Sequence, residues 1–336
     1  MSIRVLEAGF NITVQDLGRP SYQHLGVPVS GAISSAALKI ANALVGNNLE
    51  MAGLEIRLLG PTLEVLCESV RIALTGTNST IEILGEKPAS KPANQSLLLK
   101  KGQQFRIGGI SDSGSAYLAI EGGFKLSPVY DSLSTYIRAS IGGVFGRAIN
   151  IGDVIPLNMT NVQDRDEIKI SNLKTLQEKG PFRVIFGPQH DFFKESAIQT
   201  FLNNSYTITR DADRMGMRLE GPLLEHAKGY NIVSDGIVTG AIQVPGTGKP
   251  IILLADHQTT GGYPKLATVI SADISRLGRL RPGEKVQFIE VSIQEAEIAR
   301  VQHETMISSV ISDFELASAW LDESALYTEN LISGFL

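Results

Sequence analysis

A mainly β chain with a few helices is the fold class the sequence predicts, on three observations. Short apolar runs recur at residues 54–59, 63–67, 70–75, 80–84, 96–99, 104–107 and 116–121, each bounded by Gly, Pro or Asn. Few stretches carry the 3.6-residue period of a helix. Three glycine-marked segments of the first half reappear in the same order in the second, which predicts two tandem β-rich domains related by internal duplication.

Taken in order, residues 3–14 read as strand, turn at Gly9, and strand again. A long polar loop punctuated by Gly18, Pro20, Gly26, Pro28 and Gly31 follows, and loops of that length are most often functional. Ser34 or Ser35 is placed to cap a helix carrying Ala36, Ala37, Ile40, Ala41 and Leu44, with Gly46-Asn47 as its stop. After the strand series, residues 158–179 are polar and of mixed charge, as a connection between halves would be. A second strand series begins at 182–186. Residues 291–309 carry apolar positions among charges, as an amphipathic helix does, and 318–336, with Trp320, Leu326 and Phe335, read as a helical or docking segment.

The repeat rests on three pairs. Leu58-Leu59-Gly60-Pro61-Thr62-Leu63-Glu64 matches Leu219-Glu220-Gly221-Pro222-Leu223-Leu224-Glu225 at five of seven positions. Leu118-Ala119-Ile120-Glu121-Gly122-Gly123-Phe124 pairs with Leu254-Ala255-Asp256, then Gly261-Gly262-Tyr263 after a four-residue insertion. Asn150-Ile151-Gly152-Asp153 pairs with Arg281-Pro282-Gly283-Glu284.

Composition narrows the function. The 336 residues, 43% hydrophobic and 19% charged, suffice for two domains with cores. A net charge of −5 and 6% aromatics argue against nucleic acid and against a basic membrane patch. No run approaches the ~18 apolar residues of a membrane span, and the first residues lack the apolar core of a signal peptide, so the expected compartment is the cytoplasm. Cys67 is alone and reads as core filler, and the five histidines are scattered, so no metal centre is expected. Pro245-Gly246-Thr247-Gly248-Lys249-Pro250 lacks the glycine and the hydroxyl of a phosphate loop, and Gly109-Ile110-Ser111-Asp112-Ser113 lacks the last glycine of a nucleophile elbow.

What remains is a set of polar loops. The densest is Asp256-His257-Gln258-Thr259-Thr260-Gly261-Gly262-Tyr263-Pro264-Lys265, which opens from the apolar run 251–255. Others hold Gln15, Asp16, Arg19, Tyr22, His24 and Ser30; Gln189; Arg214; and Gln243. Singly, each has a structural reading, with Asp capping a turn and Arg pairing with it. Converging, they suit recognition of a small amide or carboxylate. Lys265 or Arg19 would then stabilise developing anionic oxygen, and Asp16, Asp256 or His257 would move protons.

Thr13-Val14-Gln15-Asp16-Leu17-Gly18-Arg19-Pro20, Gly26-Val27-Pro28-Val29-Ser30-Gly31-Ala32, Gly187-Pro188-Gln189, Asp213-Arg214-Met215-Gly216-Met217-Arg218-Leu219, Gly240-Ala241-Ile242-Gln243-Val244-Pro245 and the 256–265 loop together resemble the biotin-dependent carboxyltransferase family. That family holds the second allophanate hydrolase subunit, the C-type 5-oxoprolinase subunit, the antagonist of a sporulation-kinase inhibitor, and the carboxyltransferase part of urea carboxylase. The resemblance implies two cyclophilin-like β-barrel domains, over 1–160 and 181–290, joined by a linker at 161–180 and followed by a C-terminal extension at 291–336. It implies a companion cyclophilin-like chain, of the type of the first allophanate hydrolase subunit or the B-type 5-oxoprolinase subunit. The activity it implies is ATP-dependent opening of a lactam, with ATP held together with the companion and the chain inactive alone. Two alternatives are a carboxyltransferase using carboxybiotin carried on another chain, since no Met-Lys-Met carrier motif is present, and a regulatory protein that binds a kinase inhibitor.

Overall fold

The computed structural model describes residues 1–172 and 180–317, so the segment 318–336 expected to be helical or docking lies outside the described residues. The chain is mainly β, with four α-helices among the described residues: α1 (Ser35–Leu44), α2 (Glu195–Asn203), α3 (Ser271–Leu277) and α4 (Ile293–Ser312). None of these is long and apolar enough to cross a membrane.

In the first half two antiparallel sheets face each other. One runs Val154–Pro156, Ser2–Glu7, Thr62–Val65, Gln104–Ile107, Thr80–Leu84, Ala89–Pro92, and the other Thr13–Gln15, Gly53–Ile56, Ala116–Ile120, Ser69–Thr75, Ser96–Lys100. Side-chain alternation builds the core between them: Ile3, Val5, Leu63 and Phe105 meet Leu54, Ile56, Ile72, Leu74 and Leu118. The second sheet is buried on its other face too. There Ala73, Tyr117 and Ala119 pack on Leu38, Ile40, Ala41 and Leu44 of α1. Gly46, at φ +77°, ends that helix as its sequence predicts.

In the second half one sheet runs Lys285–Val286, Tyr206–Ala212, Gly216–Glu220, Ile251–Leu253, Ala241–Gln243, Lys265–Val269, Phe182–Phe186, Phe288–Glu290. Its two edge strands are separated in the chain by Gln287 alone, so the sheet curls until its edges nearly meet, as a barrel does. Phe201 of α2 closes the interior by stacking on Phe288, with ring centroids 4.5 Å apart.

Of the three repeated segments, one is reproduced in backbone detail. The Asn150 and Arg281 amides donate to the Asp153 and Glu284 carboxylates, Gly152 and Gly283 have φ of +87° and +92°, and their amides donate to Val5 and Ile208. The other two differ. Thr62 begins a strand where its sequence match, Leu223, lies beyond the end of one, and Gly122 and Gly123 have positive φ where Gly261 and Gly262 do not. Glycine-proline corners recur wherever strands end, and that similarity misplaced the register.

The halves are joined along a seam. Ile33 enters the second core, beneath Gly278, and the Ser35 and Ser275 hydroxyls lie 3.2 Å apart. The α4 helix, opened by a Ser292–Glu295 capping box, starts on the second half, where Ala299 packs on Ile270 and Ala272. It ends on the first, where Ile307 and Val310 join the α1 core and Glu304 holds Lys39 at 2.8 Å. The connection expected at 161–180 is fastened at its start to the first half: buried Arg71 binds Glu167 and the carbonyls of Gln163 and Arg165.

Candidate functional site in the seam between the halves

Two loops cross at the seam, and glycine makes the crossing possible. Gly18, at φ +92°, lies so close to the 29–31 loop that a Cβ there would stand 2.6 Å from the Val29 carbonyl oxygen. Gly31, at φ +86°, lies as close to Gly18 in return, at 2.7 Å from its nitrogen. Between them Ser30 is held at φ +55°, and its amide donates to Ala255 of the second half. That bond brings the 15–31 loops against the 256–265 loop.

At the centre Arg214 spans the seam. Its Nε and Nη2 hold the Asp256 carboxylate at 2.8 and 3.0 Å, its Nη1 holds Glu55 at 2.6 Å, and Nη2 also donates to the Gly31 carbonyl. Glu55 accepts from the Tyr117 hydroxyl at 2.6 Å and from the Ile33 amide. Burial works to raise the Glu55 pKa, but the Arg214 guanidinium and the Tyr117 bond outweigh it and hold the carboxyl below its usual range. Burial of Tyr117 beside that carboxylate pushes its hydroxyl well up. Glu55 is therefore held as the carboxylate against Arg214, with the neutral Tyr117 hydroxyl as a donor to it.

Asp16 is equally occupied. It accepts from the amides of Gly18 and Leu133 and the hydroxyls of Ser132 and Ser134. Arg19 is fully buried, with Nη2 donating to the Ser134 carbonyl and Nε directed at Val129. Burial pulls its guanidinium down, and Asp16 and Asp256 partly offset this.

Four buried polar atoms on these segments have no hydrogen-bond partner among the described residues: Gln15 Oε1, Arg19 Nη1, Ser30 Oγ and His257 Nε2. Such atoms are costly unless a ligand or water meets them. His257 is the most informative of the four. Its Nδ1 lies 2.6 Å from the Gln258 carbonyl oxygen, which fixes Nδ1 as the protonated nitrogen, and burial lowers its pKa. The neutral ring therefore carries a bare lone pair on Nε2.

Lys265 forms a second cluster. Its Nζ lies 2.5 Å from Asp235 and 2.8 Å from the Gly236 carbonyl, and Gln189 binds both Asp235 and the Lys265 amide. Gln243, Gln258 and Tyr263 line an open cleft of about 570 Å³ beside it. Gly261 packs on Gln243 so closely that a Cβ would stand 2.6 Å from its amide nitrogen. Thr260 and Gly261 pair with Asp235–Gly236, while Thr259 and Gly262 accept from Ile237 and Ile232 through their carbonyls, which shapes the loop. Tyr22 and His24 are not among the residues lining this cleft; they are bonded to Asp131 and to the Ser21 carbonyl.

The sequence thus brought forward most of the seam but missed Glu55, Tyr117 and Asp235, as well as Arg138 of the cleft, whose Arg210 and Arg218 lie in segments it did bring forward. Glu55 had a signal: it is a lone acid inside the otherwise apolar run Gly53–Ile56, and such an acid needs a buried partner. Among the described residues no group of three or more His, Cys, Asp or Glu is arranged to hold a metal ion. In the 245–250 loop Lys249 is paired with Glu220 at 2.8 Å and the backbone turns on Gly248 against Leu224.

Residues 25–290 match the family model "Carboxyltransferase domain, subdomain A and B". The chain is 33% identical over 298 residues to the C-type 5-oxoprolinase subunit of Escherichia coli (strain K12), covering 89% of this chain and 94% of that protein. It is 29% identical to the urea amidolyase of Saccharomyces cerevisiae, over 92% of this chain but 18% of that one. Among solved structures, the Kluyveromyces lactis urea amidolyase superposes with a TM-score of 0.83 at 29% identity, over 92% of this chain and 20% of that chain. This chain therefore spans about a fifth of that enzyme.

Proposed function

Because the chain belongs to the family of carboxyltransferase domains, subdomains A and B, we propose that it is the C-type component of an ATP-dependent 5-oxoprolinase, opening a lactam to an amino acid together with a companion chain. The observation that carries this reading is the bare Nε2 of buried His257 in the same seam as the unpartnered Nη1 of Arg19. One is a proton acceptor and the other an anion holder, the pair that attack on an amide carbonyl requires. The near full-length match to two C-type 5-oxoprolinase subunits supports it.

In this reading His257 takes the proton from the attacking water, since Asp16 and Asp256 are already saturated by their own donors. Arg19 and Lys265 face the oxygen on which charge develops, and Gln15, Ser30, Gln189, Gln243, Gln258 and Arg214 position the substrate or the loops around it. ATP is read as held together with the companion, since the 245–250 loop lacks the glycine and the hydroxyl of a phosphate loop. We also read residues 1–160 and 181–290 as two cyclophilin-like barrels of common origin, joined at 161–180 and followed by the 291–336 extension; the shared turns at 150–153 and 281–284 support this.

A carboxyltransferase reading, with carboxybiotin brought in on another chain, is favoured by the TM-score of 0.83 to urea amidolyase. The experiment that separates the two is reconstitution of this chain with its companion, followed by measurement of substrate-dependent ATP hydrolysis. Hydrolysis driven by 5-oxoproline and not by urea is expected. Hydrolysis driven by urea alone overturns the first reading.

A further inference from the structure

The 570 Å³ cleft beside the seam has a feature the proposed chemistry leaves unused: the exposed side chains of Arg138, Arg210 and Arg218 all line it, and no guanidinium of the three makes a hydrogen bond or ion pair with any described residue. They come from both halves. Arg138 sits on the short Ile137–Ala139 helix of the first, while Arg210 and Arg218 lie on the paired strands Tyr206–Ala212 and Gly216–Glu220 of the second. Five other arginines, Arg4, Arg71, Arg147, Arg183 and Arg214, are each paired with a carboxylate.

We propose that this cleft is an oxyanion-binding site, taking the phosphoryl or carboxylate end of a small molecule between Arg138 on one side and Arg210 and Arg218 on the other. Three like charges brought to one concavity repel each other, and an anion relieves that repulsion while the planar forks offer it paired N–H donors. The volume is that of a small-ligand site. Two acids temper the charge: Asp213 is engaged by the amides of Met215 and Gly216, whereas Asp211 is exposed and has no partner among the described residues. The lining therefore nets one positive charge, which selects a small oxyanion over a long polyanion such as a nucleic acid. Because the clamp is built from both halves, a bound anion also ties them together.

This inference deepens the reading above and rests on it only in taking the seam as the place where an activated, anionic substrate is handled. Its test needs no turnover. Pyrophosphate and, separately, succinate are titrated calorimetrically onto the full chain at low salt, the two arms distinguishing a phosphoryl from a carboxylate end. Binding of either is expected, weakened about tenfold in each of Arg138→Gln, Arg210→Gln and Arg218→Gln, and further by added salt. Asp211→Asn, which removes a repelling charge, is expected to tighten binding, an effect that general loosening of the fold would not produce. Melting of each variant is followed alongside, so that one that fails to fold is set aside and the others decide. Absence of binding by both anions overturns the proposal, as does binding that the three folded arginine variants leave unchanged. Retained anion binding with lost lactam-driven hydrolysis would instead count against the proposed function alone.

Discussion

Arg214 of the second half meets Glu55 of the first at 2.6 Å, and the same guanidinium grips Asp256 with two further bonds. Two buried carboxylates thus share one cation. Tyr117 also donates to Glu55, as the Ile33 amide does, and accepts from the Ser34 amide at the start of α1, so this ion cluster also fixes where that helix begins.

Arg214→Met leaves both carboxylates buried without a counter-charge. Breaking a buried pair from one side costs about 3–5 kcal/mol, and urea unfolding is the measurement. Arg214→Lys, which reaches one carboxylate but not both, should fall between. A loss below about 1 kcal/mol for Arg214→Met would show that the trio does not hold the seam.

Gly31→Ala places a Cβ against the Gly18 backbone at a φ of +86°, so it is expected to cost at least the ~1–3 kcal/mol of a residue held in a disfavoured region. Gly26, at φ +78° but with open space around it, is the control: Gly26→Ala carries the backbone term without the collision and should be the milder of the two by thermal melting.

His257 gives the pH dependence a sign. Its folded pKa lies below the ordinary value of about 6.5, so its contribution to stability is fully present above that value and is lost as pH falls through the folded pKa. His257→Asn should flatten the acid-side fall in melting temperature. In the reconstituted complex the acid limb of kcat/KM should likewise lie below 6.5 and be absent from the variant, whose residual rate is expected to be ~10²–10⁴-fold lower.

Lys265 and its partner separate charge from packing. If the ammonium stabilises a developing oxyanion, Lys265→Gln should lower kcat of the complex by ~10²–10³-fold, whereas Asp235→Asn, which frees the same ammonium, should change it less than tenfold. Equal losses in the two variants would mean that the pair only shapes the loop.

Much of this architecture was legible before any coordinates. Strand runs announced themselves because they are short, apolar and closed by glycine or proline, and α1 because its apolar positions keep helical spacing up to Gly46. The loops of the site were found because polar groups crowd them. Glu55 and Tyr117 were passed over because a strand buried on both faces loses the alternation that would have set its polar members apart. Arg210 and Arg218 belong to segments the sequence did bring forward, but Arg138 is distant in the chain, and only the fold brings the three together. The helix expected over 291–309 is α4, whose buried face is carried by Ala299, Ile307 and Val310 while Ile298 and Val301 are exposed.

The course of α4 has one more result. It leaves the second half and lands on the first, and the chain beyond it pairs Glu315–Leu316 with Ile168–Lys169 at the exit of the first half. The polypeptide thus crosses to the second half after residue 172, and among the described residues α4 brings it back. Severing either crossing by a protease would leave the other in place, and the two lobes would travel together as one nicked particle.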